Sequence, residues 1–189
     1  RIALDAMGGD KAPECVVSGA DIVRASHRHI EMVFFGNKAR IEPLLQRSRY
    51  LGDATIIHTD DAVSPDDTAS QAVRRGKMTS MWLAIASVAA GEADAVVSAG
   101  NTGALMAMSK LQFRTMPGVT RPAIAAFFPT TGDLMCMLDL GANLECDAEN
   151  LVQFAVLGQA FFRSLTGEAT PRVGLLNVGE EEQKGHEYI

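Results

Sequence analysis

The chain has 189 residues, 47% hydrophobic and 21% charged, with a formal net charge of −6. That is the make-up of a folded globular protein rather than a disordered one, and the scattered lysines and arginines exclude a dedicated nucleic-acid binder, which carries a basic face. No apolar run reaches the roughly 18 residues of a membrane span, no signal peptide is visible, and Cys15, Cys136 and Cys146 lack CxxC spacing, so the expectation is reduced thiols in a cytoplasmic protein.

In chain order, strand-like and helix-like stretches alternate. "IALDAM" (2–7) reads as a buried strand, and 12–26 as a helix with Pro13 in its first turn. A strand over 30–36 leads into a short helix, "KARIEPLLQR", that Pro43 interrupts, and a strand over 54–59 follows. After the acidic loop "DDAVSPDDT", Asp67 or Thr68 caps a helix through Arg75, and Thr79 or Ser80 caps another through Ala90. "ADAVVSAG" (93–100) is the next strand, followed by a helix from Asn101 to Met116. Apolar runs at 123–130 and 134–141, parted by "TGD", predict a hairpin. A long helix over 148–165 and a last strand over 172–179 complete the pattern. Alternation of this kind predicts a three-layer α/β/α sandwich with a mostly parallel sheet. The chain begins at Arg1 inside a strand-like run and stops at Ile189 in a helix-like turn. The expectation is a single α/β domain over 1–189, the N-terminal part of a longer chain.

Ligands of such sheets bind beyond the carboxyl ends of the strands. Those ends read "DAMGGDKAP", "FFGNK", "SAGNTGA", "LDLGAN" and "LNVGEEEQKG". All five combine glycine with Asp or Asn, a rim suited to a small anion. "SAGNTGA" (98–104) follows a strand and opens a helix. Gly100 and Gly103 let the backbone turn tightly, while Asn101 or Thr102 caps the helix. Free amides at a helix start make a phosphate or carboxylate site. The plain alternative is a capped glycine turn without a ligand. The motif is neither GxGxxG nor a Walker A loop, and in "RRGKMTS" (74–80) Met78 stands directly after Gly76-Lys77 where a P-loop requires Ser or Thr.

"DAMGGDKAP" sets Asp5, Asp10 and Lys11 around Gly8 and Gly9, either as a structural turn or as support for polar chemistry. Near the end, Asn177 and Lys184 flank a triple acid; a lysine can hold phosphate or stabilise an oxyanion, though a solvated surface lysine is the simpler reading. Arg74, Arg75 and Lys77 are either a solvated helix end or a patch for an acidic partner. No histidine shows metal-ligand spacing, and no GxSxG elbow is present. The methionines suit core packing.

Six stretches in order, "RIALDAMGGDKAPE", "AVRRGKMTSM", "DAVVSAGNTGALMA", "RPAIAAFFPT", "LDLGANLECDAENLVQFAVLG" and "PRVGLLNVGEEEQKGHE", resemble the phosphate acyltransferases of bacterial phospholipid synthesis. The resemblance implies transfer of a fatty acyl group from acyl-acyl-carrier-protein to inorganic phosphate. It also implies a fold of the phosphotransacetylase and isopropylmalate dehydrogenase group, a homodimer and no redox cofactor; no residue is assigned as a metal ligand. It implies a cytoplasmic protein peripheral to the inner membrane face, handing acyl-phosphate to a membrane glycerol-phosphate acyltransferase.

For this chemistry Lys184, Asn177, Asp10 and Lys11 are the candidate catalytic residues. Gly8, Gly9, Ser98, Gly100, Asn101, Thr102, Gly103 and Asn143 are candidates for phosphate binding. Arg74, Arg75, Lys77, Lys110 and Arg114 are candidates for docking the acidic carrier protein. The chain departs from the family's usual GGDHAP at Lys11, and has His186 where the family usually has Asn. The family is also substantially longer. A short-chain phosphotransacetylase using acyl-coenzyme A, and a non-catalytic scaffold for acyl-carrier-protein, are the alternatives.

Overall fold

The computed structural model describes residues 1–143 and 145–177, and the chain divides into two compact units, Arg1–Arg114 and Thr115–Ile189. In the first unit, β1 (Ile2–Asp5), β2 (Met32–Gly36), β3 (Thr55–His58) and β4 (Ala95–Val97) form a parallel sheet in the order β3-β2-β1-β4. The helices are α1 (Glu14–Ser26), α2 (Lys38–Arg47), α3 (Ala69–Arg75), α4 (Ser80–Ala89) and α5 (Thr102–Phe113), with a 3₁₀ turn over Gly76–Met78.

Side chains alternate across a strand, and this sheet is covered on both faces. Leu4, Met32 and Phe34 pack with Val17 and Ala20 of α1 and Ile41 of α2. Their neighbours Ala3 and Phe35 pack on the opposite side with Ala84 of α4. Behind α4, its Met81 and Ile85 meet Ala72 of α3 and Ala104 and Met108 of α5. The expected α/β sandwich with a mostly parallel sheet is therefore present.

Several element ends differ from expectation. β1 stops at Asp5 and β4 at Val97, because the glycine-containing segments beyond them turn away from the ladder. α2 runs through Pro43 without a break. α5 ends at Phe113, where Arg114 takes a positive φ of 63° that no helix continues. At the opposite end of the sheet Arg24, 8% exposed, reaches from α1 to the 48–53 loop. Its guanidinium donates to both Asp53 carboxyl oxygens at 2.7 and 2.6 Å, to Ile30 O at 2.5 Å, and to the Arg28 carbonyl.

The second unit contains the expected hairpin, β5 (Ala126–Pro129) against β6 (Leu134–Met137), and α6 (Ala148–Thr166). Asp147 and Asn150 form a capping box at the start of α6, and Gly167, at φ 78°, ends it. Phe127 packs on Phe161 and Phe162, with ring centroids 5.6 and 5.8 Å apart. The strand expected over 172–179 is a correction: residues 172–177 join no ladder, and Val173, Leu175 and Leu176 are exposed. An apolar run becomes a strand only where a neighbour takes its N–H and C=O groups, and none does among the described residues. Residues 178 and 179 lie outside the description. Among the described residues, no helix is long and apolar enough to cross a membrane.

Candidate functional site

The carboxyl ends of β1 and β4 lie side by side, since Leu4 pairs with Val97 in the parallel ladder. The loop after β1 and the "SAGNTGA" turn after β4 consequently meet. Their junction is the Asp5 side chain, 1% exposed. Its Oδ2 accepts from Ser98 Oγ at 2.7 Å, and its Oδ1 from Ser80 Oγ at 2.6 Å and from the Met7 amide at 3.3 Å. Ser98 Oγ in turn accepts from the Gly100 amide at 3.1 Å. One carboxyl group thus ties together β1, the first residue of α4 and the turn after β4. A buried carboxyl needs such partners, and two hydroxyls and an amide supply them.

This junction explains the small residues on both loops. A Cβ on Gly8 would lie 2.5 Å from Asp5 Oδ2, 2.8 Å from Ser98 Oγ and 2.9 Å from the Gly100 amide nitrogen. A Cβ on Gly100 would lie 2.9 Å from Met81 Cε and 3.2 Å from Gly8 Cα. Gly9, with φ of 105°, packs on Ala99, whose carbonyl would be 3.1 Å from its Cβ. Gly103 is different: its Cβ would meet nothing closer than 3.5 Å. The smallness of Gly8 and Gly100 serves backbone packing, whereas that of Gly103 leaves a helix start uncovered.

The polar groups of the turn divide the same way. Asn101 Oδ1 caps α5 by accepting from the Ala104 amide at 3.0 Å. Its Nδ2 donates to Pro65 O at 3.1 Å and Asp67 O at 2.8 Å, holding the acidic loop beside the turn. The Gly100 amide and the Asn101 side chain therefore face inward. The first two amides of α5, on Thr102 and Gly103, have no carbonyl one turn earlier within the helix, and both residues are exposed. They form the anion-ready edge of the turn.

The first unit brings together Gly8, Gly9, Ser98, Gly100 and Asn101 of the expected site. Asp10 and Lys11 are exposed in the loop beyond Gly9, where the Cys15 amide donates to Lys11 O at 3.0 Å. Arg74, Arg75, Lys77, Lys110 and Arg114 are all exposed. Arg75 pairs with Asp67 at 3.3 Å. The same Arg75 and Asp67 line a polar hollow of about 150 Å³ with Asp61, Val63 and Thr79.

In the second unit Asn143 Nδ2 donates to Pro122 O at 2.9 Å and Asp139 Oδ2 at 3.1 Å, so both its amide hydrogens are engaged. Asp139 also accepts from the Ile124 and Asn143 amides, each at 2.8 Å. Burial pushes its carboxyl upward, but these bonds, with the Asn143 side chain and the Ala142 amide, outweigh burial and hold it below the usual carboxylate range. Asn177 is partly buried; Lys184 and His186 lie outside the described residues. Among the described residues no group of three or more His, Cys, Asp or Glu side chains is arranged to hold a metal ion.

Sequence reasoning placed Asp5 near the glycines but missed it as the hub. Its two hydroxyl partners stand 75 and 93 residues away, and no local pattern announces them. The available signal was an acid at the end of an otherwise apolar strand.

Residues 1–189 match the family described as "Fatty acid synthesis protein". The chain is 59% identical over its whole length to the phosphate acyltransferase of Rhodospirillum centenum, covering 53% of that protein. It is 55% identical over its whole length to that of Parvibaculum lavamentivorans, again covering 53%. With the phosphate acyltransferase of Paramagnetospirillum magneticum it shares 49% identity over its whole length and 54% of that relative. The chain thus spans about half the length of these curated relatives.

Proposed function

The chain belongs to the fatty acid synthesis protein family, and on that premise we propose that the full-length protein transfers a fatty acyl group from acyl-acyl-carrier-protein to inorganic phosphate. The product is acyl-phosphate for phospholipid synthesis. The observation that carries the reading is the start of α5: the Gly100 amide and Asn101 side chain are engaged inward, while Thr102 and Gly103 leave exposed amides with no Cβ at position 103. The relatives' name, phosphate acyltransferase, supplies the anion and the reaction class.

The chemistry makes modest demands. Phosphate is anionic near neutral pH, so one of its oxygens attacks the thioester carbonyl without an activated Ser or Cys. The tetrahedral intermediate collapses, expelling the thiolate of the carrier's prosthetic arm and leaving the acyl group on phosphate. The protein must hold phosphate against the carbonyl and stabilise the oxyanion. The Thr102 and Gly103 amides cradle phosphate at the dipole-positive end of α5. Lys184 neutralises phosphate or oxyanion, Asn177 positions them, and Asp10 and Lys11 serve the polar edge of the site; Asn143, whose amide hydrogens are both engaged, has no donor left for the anion. Arg74, Arg75, Lys77, Lys110 and Arg114 receive the acidic carrier protein. The protein works as a homodimer in the cytoplasm, at the inner face of the membrane, where it hands acyl-phosphate to a glycerol-phosphate acyltransferase.

Gly103→Ala tests the cradle. An added Cβ meets no protein atom closer than 3.5 Å, and alanine favours a helix over glycine by up to ~1 kcal/mol. Stability is expected to hold or rise. The KM for phosphate of the full-length enzyme is expected to rise about tenfold, a loss of ~1.4 kcal/mol. An unchanged KM removes the α5 start from the site. Lys184→Ala is expected to lower phosphate-dependent turnover at least about tenfold, again ~1.4 kcal/mol. Offering the full-length protein long-chain acyl-carrier-protein or acetyl-coenzyme A separates the donors: acyl-phosphate from the first alone supports the proposal.

A further inference from the structure

Asp5 sits one layer behind the proposed cradle and touches none of the exposed amides. Its two oxygens serve different parts of the molecule. Oδ1 takes the Ser80 hydroxyl at 2.6 Å and the Met7 amide at 3.3 Å, both belonging to the scaffold. Oδ2 takes the Ser98 hydroxyl at 2.7 Å, on the turn itself.

A hydroxyl has one proton to give. Because Ser98 gives its proton to Asp5, its lone pairs are left to accept, and one accepts the Gly100 amide at 3.1 Å. That bond directs the Gly100 N–H toward Ser98 and away from the Thr102 and Gly103 amides two and three residues on. The sheet adds rigidity, since Asp5 and Val97 end neighbouring, directly paired strands. Gly8 closes the arrangement from the other side, with room for no side-chain atom.

We propose that Asp5 is a positioning residue for phosphate: through Ser98 it fixes the 98–101 turn so that the amides at the start of α5 are preorganised for the anion. This deepens, and rests on, the reading of that helix start as the phosphate cradle. It assigns the Ser98 arm of the carboxyl to ligand affinity and the Ser80 arm to the scaffold.

The test uses the full-length protein with inorganic phosphate as the calorimetric probe, alongside phosphate-dependent turnover and thermal unfolding. Asp5→Asn keeps the shape but puts an NH₂ group where one hydroxyl now donates. D5N and Ser98→Ala are each expected to weaken phosphate binding about tenfold, or ~1.4 kcal/mol. The D5N/S98A double variant is expected to be no weaker than the poorer single, because both changes break one path. Ser80→Ala is expected to lower the melting temperature while leaving phosphate affinity within about twofold, or ~0.4 kcal/mol. If D5N does not fold, S98A against S80A decides: loss of affinity in S98A alone supports the proposal.

Equal loss of affinity in S80A and S98A, additive losses in the double variant, or unchanged binding in folded D5N overturns it. Wild-type protein that binds phosphate with the expected variant pattern but makes no acyl-phosphate sinks the acyl-transfer reading and leaves the positioning role standing. Wild-type protein that binds no phosphate overturns both.

Discussion

Gly8→Ala puts the packing of the two loops to the most direct test. The new Cβ would lie 2.5 Å from Asp5 Oδ2, 2.8 Å from Ser98 Oγ and 2.9 Å from the Gly100 nitrogen. Comfortable contact between non-bonded heavy atoms starts near ~3.5 Å, so each neighbour must retreat by roughly half an ångström to one. None is a loose end. Asp5 is held through both oxygens, Ser98 is bonded on two sides, and the third atom is backbone. Overpacking of this kind costs ~1–3 kcal/mol. Parting Ser98 from Asp5 leaves a buried acceptor short of a partner, another ~1–3 kcal/mol. The sum centres near 3–4 kcal/mol, which in a unit of this size lowers the melting temperature by roughly 10 °C or more. Gly19→Ala is the matched control. It sits inside α1, and its Cβ would meet nothing within 4 Å; helix propensity then favours the variant by ~1 kcal/mol. Thermal unfolding followed by circular dichroism distinguishes them. If G8A melts within about 2 °C of wild type, corresponding to well under 1 kcal/mol, the close approach of the loops is wrong.

Three further outcomes are expected. Asn101→Ala removes the α5 cap and two bonds to the acidic loop, costing ~1–3 kcal/mol in denaturant unfolding; Asn101→Asp keeps a good capping group but turns an acceptor toward the carbonyls of Pro65 and Asp67, so wild-type stability in N101D would refute that geometry. For Asp139 the folded pKa is depressed, since its hydrogen bonds outweigh the upward push of burial. A depressed carboxyl stabilises the fold above its unfolded value of ~3.9 and loses that contribution as pH falls through the folded value. The stability gap between wild type and Asp139→Asn should therefore be widest near neutral pH and shrink below about pH 4; a gap independent of pH contradicts the sign. Finally, burial pushes the Cys136 and Cys146 thiols up, with Asp139 adding to the effect on Cys146, while Cys15 is exposed. Iodoacetamide at mildly alkaline pH should label Cys15 first, and peptide mapping that finds Cys136 or Cys146 labelled earlier would be inconsistent with that environment.

What could be read from the chain were features carried by neighbours in sequence. The apolar runs at 32–36 and 95–97, the Thr68, Thr79 and Asn101 caps and the hairpin around "TGD" all follow from a few adjacent residues. What could not be read depends on distant partners. Arg24 is one arginine among many until Asp53 and three carbonyls gather round it. The 172–177 run has strand composition yet no neighbour to pair with among the described residues. Asp5 looked like one of several acids by a double glycine, because Ser80 and Ser98 reach it only when α4 and β4 are in place.

The same distinction separates the glycines of "SAGNTGA". Both suggested room for a ligand, since a sequence records only that side chains are small. Gly100 has no room to offer: Gly8, Ser98 and Met81 already crowd the place of its missing Cβ. Gly103 is unobstructed, and it sits where the helix has amides without carbonyl partners. The anion, if it binds this turn, must therefore sit over residues 102 and 103 rather than inside the 98–101 loop. The inward half of the motif then acts indirectly, by keeping the outward half still. This division makes the motif separable by mutation: a methyl group at 100 should damage fold and function together, whereas a methyl at 103 should affect function while leaving the fold intact.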